Sequence, residues 1–254
     1  MQKVFSSMIK VTLILISLLI IAACGSTGNE APNDESSLVK TNKQATLTKE
    51  QQRKVKQQIL NYAKADDDYN ALVAKFLRAE AQVSDFDAIV SLYPLTTKYS
   101  PYGNVEQVQK LVAFESMEQE NWETCLQATN IILDENYTSL AGHYGAMVCH
   151  YESGERLTGE YHNTMLDGFM DAILRSGDGQ TPSTAFYITS TNDLYAFVQL
   201  NAMVVTGQSL VYHEQRPVDV IEVQDPETGQ KSTWYFDVTA QFRRGIFDDI
   251  ESAR

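Results

Sequence analysis

Apolar residues recur at the three-to-four-residue spacing of amphipathic helices through the first two thirds of the chain, and after Arg175 that spacing gives way to short aromatic and β-branched runs separated by turns. A single switch from helical to strand periodicity excludes an alternating α/β sheet and predicts an α+β fold: a helical layer over residues 47–175, then a small antiparallel sheet with one helix over 176–245, packed together as one domain, and a tail over 246–254.

The helical part has legible starts and stops. Thr48-x-x-Gln51 reads as a capping box for a first helix carrying Val55, Ile59, Tyr62 and Ala63. A second helix is expected from Asp67 to Val83, with Tyr69, Leu72, Val73 and Phe76 on one face. Ser84-x-x-Asp87 opens a short third, with Phe86, Ile89, Val90 and Tyr93, which Pro94 ends. After the loop from Leu95 to Asn104, apolar spacing resumes through Val105, Val108, Leu111 and Val112, then Trp122, Cys125, Leu126, Ile132 and Leu133, then Tyr144, Met147, Val148 and Tyr151. Breaks near Glu120 and Gly154 are 34 residues apart, the tetratricopeptide period, so these helices resemble tetratricopeptide hairpins, although only about two repeat lengths are visible and the usual closing Pro is missing.

In the second part, Ser176-Gly177-Asp178-Gly179 is a turn, Ala185–Thr189 a strand, and Ser190-x-x-Asp193 the cap of a helix reaching Met203. Strands follow at Gln208–His213, Val218–Gln224 and Lys231–Thr239. Asp225-Pro226-Glu227-Thr228-Gly229 makes the last two a hairpin, because Asp, Pro and Gly supply the turn geometry.

The N-terminus speaks to location rather than fold. Lys3 and Lys10 precede an apolar run from Val11 to Ala23, too short to span a bilayer and suited to a secretory signal, which identifies residues 1–23 as a signal peptide. Ile21-Ala22-Ala23-Cys24-Gly25 resembles the lipobox of bacterial lipoproteins, in which the Cys thiolate takes the lipid; Cys24 is therefore the expected lipidation site. Residues 24–46 then form a polar tether, and the expected location is the outer membrane, facing the periplasm, with the membrane as partner through the lipid on Cys24.

Parts of the chain also resemble the domain of unknown function 4919 family of bacterial envelope proteins. The resemblance rests on Phe86 to Tyr93, Tyr99-Ser100-Pro101-Tyr102-Gly103, the Ser176–Gly179 turn with Thr184-Ala185-Phe186, and Trp234-Tyr235-Phe236-Asp237-Val238-Thr239. It covers most of residues 80–242, implies the same architecture and assigns no catalytic residue.

Chemistry is sparsely marked. His143 and His150 share a helix face with Glu155 and His162 following, but without the i, i+4 or His-Glu-x-x-His spacing of zinc sites they read as packing residues, and no metal or cofactor is expected. For a hydrolase the best trio is Ser176, His162 and Asp178, flanking the helix-to-strand junction; a nucleophile elbow, a Walker loop and a dinucleotide fingerprint are all missing from the sequence. Cys125 and Cys149 are expected as free, buried thiols. A net charge of −13 and a pI near 4.7 exclude nucleic acid as a natural partner. The reading is a lipid-anchored, non-enzymatic periplasmic protein that binds a protein partner or serves as an envelope scaffold, the alternative being an envelope hydrolase or small-ligand binder with a pocket near His162 and Asp178.

Overall fold

The computed structural model describes residues 49–244. The signal peptide, Cys24, the tether, Thr48 and the tail at 246–254 lie outside the described residues.

Helix α1 (Lys49–Leu77) is one continuous element where two were expected. No Gly or Pro stands between Tyr62 and Tyr69, so nothing breaks the backbone there, and the apolar face carries on through buried Ala65, Tyr69 and Phe76. Helix α2 (Val83–Leu92) starts slightly before the expected Ser84 cap: the Gln82 N–H donates to Asp85 Oδ2 (2.6 Å), which also takes the Lys75 ammonium of α1 (2.6 Å). Pro94 then sits in a single tight turn, Tyr93–Leu95.

Four helices follow, each packed on the next: α3 (Val105–Glu118), α4 (Trp122–Glu135), α5 (Leu140–Glu152) and α6 (Arg156–Ser176). The breaks at Glu120 and Gly154 are the same turn. In each, the residue after the C-cap is left-handed (φ 54° and 87°), its N–H bonds back three residues, and the next N–H bonds back five: Glu120 to Met117, Asn121 to Ser116, Gly154 to Tyr151 and Glu155 to His150. The α4–α5 approach is close because Gly142 and Gly145 face Ile132, Leu133 and Thr129, where a Cβ would come within 2.7–2.9 Å of a side-chain atom.

Cys125 of α4 and Cys149 of α5 are joined in a disulfide, with Cα atoms 6.2 Å apart, which corrects the expectation of free thiols. Facing turns of adjacent helices brought within 7 Å by the glycines meet the distance a bridge demands. The bridge lies in a small core of its own with Ala113 and Ala128.

The C-terminal part is a four-stranded sheet in the order β1-β4-β3-β2, with helix α7 (Thr191–Leu200) between β1 (Phe186–Tyr187) and β2 (Val204–His213), then β3 (Arg216–Gln224), β4 (Lys231–Asp237) and short helix α8 (Thr239–Arg243). The expected β3–β4 hairpin is present, with Asp225 Oδ1 accepting the Glu227 and Thr228 N–H groups in its turn. The sheet is mixed rather than purely antiparallel, because β1 pairs parallel with β4.

The main apolar core runs from Tyr69, Phe76, Phe86 and Phe169 of the helical part to Phe186, Phe197, Ile221 and Phe236 of the sheet part. Its helical end is an aromatic knot, with Phe86 4.7 Å from Phe76 and 5.1 Å from Phe169, the ring seated over Gly168. Among the described residues no helix is long and apolar enough to cross a membrane.

Candidate functional site

The hydrolase trio does not assemble. His162 and Ser176 occupy the same α6 helix fourteen residues apart, about 21 Å along its axis. Ser176 Oγ donates to the Ile173 carbonyl (2.6 Å) and accepts the Tyr187 N–H (2.8 Å), so it ties the end of α6 to β1. Asp178 Oδ1 accepts the Gln180 N–H (2.9 Å) and the Thr184 hydroxyl, and the hydroxyl, followed by the backbone N–H, holds its carboxyl below the usual carboxylate range. Gly179, at φ 64°, offers its carbonyl to the Tyr235 N–H of β4 (2.9 Å). The Ser176–Gly179 motif thus joins helix layer to sheet. Asp178 also borders an open groove of about 520 Å³ with Leu174, Phe197, Asn201, Thr233 and Trp234, which His162 does not line.

The histidines meet in the α5–α6 interface instead. His143 is fully buried; its Nε2–H donates to the Tyr137 carbonyl (2.8 Å), leaving Nδ1 to accept from the Nδ1–H of His162 (3.0 Å). The His162 ring stacks on His150 (5.4 Å, 7°), and His150 Nδ1 reaches Glu155 Oε2 (3.0 Å). Burial, then the neighbouring His162, pulls His143 down to about 3; burial, then His150, pulls His162 down to about 4. Both rings are neutral at physiological pH. Among the described residues no group of three or more His, Cys, Asp or Glu is placed to hold a metal ion.

Two carboxyls, Glu106 and Asp193, converge at the N-terminus of α5. Ser139 caps that helix, its Oγ accepting the Gly142 N–H (3.0 Å) while its hydroxyl donates to Glu106 Oε1 of α3 (2.7 Å). The Leu140 N–H donates to Asp193 Oδ1 (3.0 Å), and Ser190 Oγ donates to Asp193 Oδ2 (2.9 Å). Burial, reinforced by the nearby Asp193, pushes Glu106 up to about 7, and burial raises Asp193 as well. The expected Ser190-x-x-Asp193 cap is real, but the same carboxyl also holds the start of α5. Glu106 gave no signal, since one Glu in the first turn of a helix is ordinary.

An exposed apolar row lies on the outer side of α3. Val108, Leu111 and Phe114, three residues apart, all point outward and are exposed, Leu111 at 61%, whereas Ala113 and Ser116 face the interior. The apolar spacing that located this helix therefore marks its solvent side for Val105, Val108 and Leu111, with Val112 alone of the four partly packed inward.

No curated protein and no solved structure matches the chain. One family model matches residues 53–244, which takes in α2, the Ser176–Gly179 turn, the β3–β4 hairpin and both carboxyls at α5. The chain accordingly belongs to the family described as domain of unknown function (DUF4919).

Proposed function

We propose that this protein is a bacterial envelope lipoprotein, anchored through lipid on Cys24 at the outer membrane and facing the periplasm, that acts by holding a protein partner rather than by catalysis. The observation that carries the binding reading is the row Val108, Leu111 and Phe114 on the outer side of α3, where a helix of a self-sufficient domain carries polar residues. The 34-residue interval between the turns at Glu120 and Gly154 is the ground for taking α3–α4 and α5–α6 as a tetratricopeptide-like layer of two hairpins presenting that row. The net charge of −13 favours a partner with a basic or neutral face.

A second reading is favoured by one observation: the groove of about 520 Å³ beside Asp178 and Trp234 has the size of a small-ligand site. The two readings separate in one experiment. In cells whose phenotype depends on the gene, Leu111→Glu is expected to abolish function with folding intact, while the milder groove variants Asp178→Asn and Trp234→Phe, with folding shown intact, leave it unchanged. Loss of function from the groove variants alone transfers the proposal to ligand binding.

A further inference from the structure

The sheet ends in two unlike edges. At one, β1 contributes two residues, Phe186 and Tyr187. At the other lies β2, ten residues long, and β3 is the strand that pairs with it among the described residues. A strand with a neighbour on one side directs half of its backbone N–H and C=O groups outward, a template for a further strand.

Native edge strands are normally blunted by charge, Pro or a bulge. The β2 sequence, Val204-Val205-Thr206-Gly207-Gln208-Ser209-Leu210-Val211-Tyr212-His213, contains no Asp, Glu, Lys, Arg or Pro. Its bulge falls between Val205 and Gly207, so only the first part is distorted; from Gly207 to His213 the register with β3 is unbroken. Beyond it the chain reverses through Glu214 and Gln215, both left-handed (φ 48° and 66°), as a two-residue hairpin loop requires. This regular half carries Leu210, Val211 and Tyr212, all exposed, Tyr212 at 66%. By alternation Leu210 and Tyr212 stand on one face and Val211 on the other, so both faces of the edge are apolar.

We infer that β2 is a self-association edge: two copies of the chain pair antiparallel through residues 209–213, Val211 opposite Val211 and Leu210 opposite Tyr212, and join their sheets into one of eight strands. Three features select a second copy over an extended peptide from another protein. A two-fold antiparallel pairing sets the strand against its own sequence, so the Leu210, Val211 and Tyr212 sets of both copies cover one another. Copies of a chain with charge −13 repel in general, and β2 is a ten-residue stretch without an acidic group along which they can approach. Captured peptides are read by side-chain pockets beside an edge, whereas Leu210 and Tyr212 are open to solvent.

The test uses the full chain purified in detergent. Sedimentation velocity at micromolar concentration is expected to show a dimer for the wild type and at least tenfold weaker association for Val211→Lys and for Val211→Glu, with unchanged circular dichroism and melting. Mixing the Lys and Glu variants is expected to restore a heterodimer, which nonspecific detergent association cannot do. A wild type that stays monomeric, a Val211→Lys variant that dimerises normally, or a mixture that fails to pair would each overturn the inference. A monomer whose Val211 variants lose an envelope cross-link would assign the edge to another protein's strand instead.

Discussion

The Nδ1 atoms of His143 and His162 face each other at 3.0 Å across the α5–α6 interface, and one proton is all that the contact can hold. The Tyr137 carbonyl fixes the His143 proton on Nε2, so a second proton on His143 would meet the Nδ1–H of His162 in a buried site. Both histidines therefore have folded-state values below the unfolded value of about 6.5. Their stabilisation is complete above about pH 6.5 and is lost as pH falls toward about 4 and then 3, at up to about 1.4 kcal/mol per pH unit for each ring. Urea titrations from pH 7 to 4 are expected to show a fall in stability that His143→Gln reduces. An unchanged acid limb in that variant would contradict the account.

Glu106 works in the opposite sense. Its carboxyl is raised to about 7 from an unfolded value of 4.5, so its contribution is intact below about pH 4.5 and declines as pH rises toward 7. Asp193, also raised, acts in the same direction. Glu106→Gln keeps an acceptor for Ser139 and removes the titration. The variant is expected to gain stability relative to wild type between pH 5 and 7.5 and to match it near pH 4, read from the same urea series.

Four helices end on the same hydrogen-bonded turn, and only one uses glycine. Gly154 is matched by Ala79, Glu120 and Ala202, all with φ between 54° and 57°. A left-handed non-glycine residue costs about 1 kcal/mol, so Ala79→Gly, Glu120→Gly and Ala202→Gly are each expected to stabilise by about 0.5–1 kcal/mol. Gly154→Ala should lose a similar amount, because its φ of 87° is unfavourable although nothing lies within 4 Å of the added Cβ. Melting temperatures of the four variants check this, and a destabilised Glu120→Gly would show that strain is not the controlling quantity.

The Cys125–Cys149 disulfide closes a loop with a sequence separation of 24. In the chain-entropy view such a loop contributes about 3–4 kcal/mol through the unfolded state. Reduction is expected to lower the melting temperature of the protein, and unfolding without reductant should expose no thiol from either residue. Stoichiometric labelling of both in the unreduced, unfolded chain would remove the bridge from the structure.

Gly168 tests the aromatic knot. A Cβ there would lie 2.1 Å from the Phe86 ring, so Gly168→Ala is expected to cost about 1–3 kcal/mol, with part recovered when Phe86→Leu is added. Additive losses in the double variant would mean that the two sites do not touch.

What the sequence disclosed and what it withheld divide along contact range. Tyr69, Leu72, Val73 and Phe76 were legible as a face because helical period is local, and the β3–β4 hairpin was legible because Asp225 to Gly229 carries its own turn chemistry. The α3 helix was located by Val105, Val108 and Leu111 but turned the wrong way by them, since period gives the stripe and not what covers it. Glu106 lies 33 residues from its contact Ser139 and Asp193 lies 53 from its contact Leu140, and nothing local couples such positions. The disulfide escaped for the same reason: spacing gives adjacent helices, while the side-chain register depends on how deeply Gly142 and Gly145 let them nest. Ser176, His162 and Asp178 were grouped by nearness to the helix-to-strand junction, and an uninterrupted α6 separates them.

Photo-cross-linking in intact envelopes tests the proposed partner face most directly. A photoreactive residue replacing Leu111 is compared with one replacing Leu157, which is 87% exposed on the first turn of α6. A discrete cross-linked species of fixed mass is expected from position 111, lost when Val108→Glu is added, and none from position 157. Equal, diffuse products from both positions, or none from position 111 in a strain where the protein is functional, would contradict the proposed partner face.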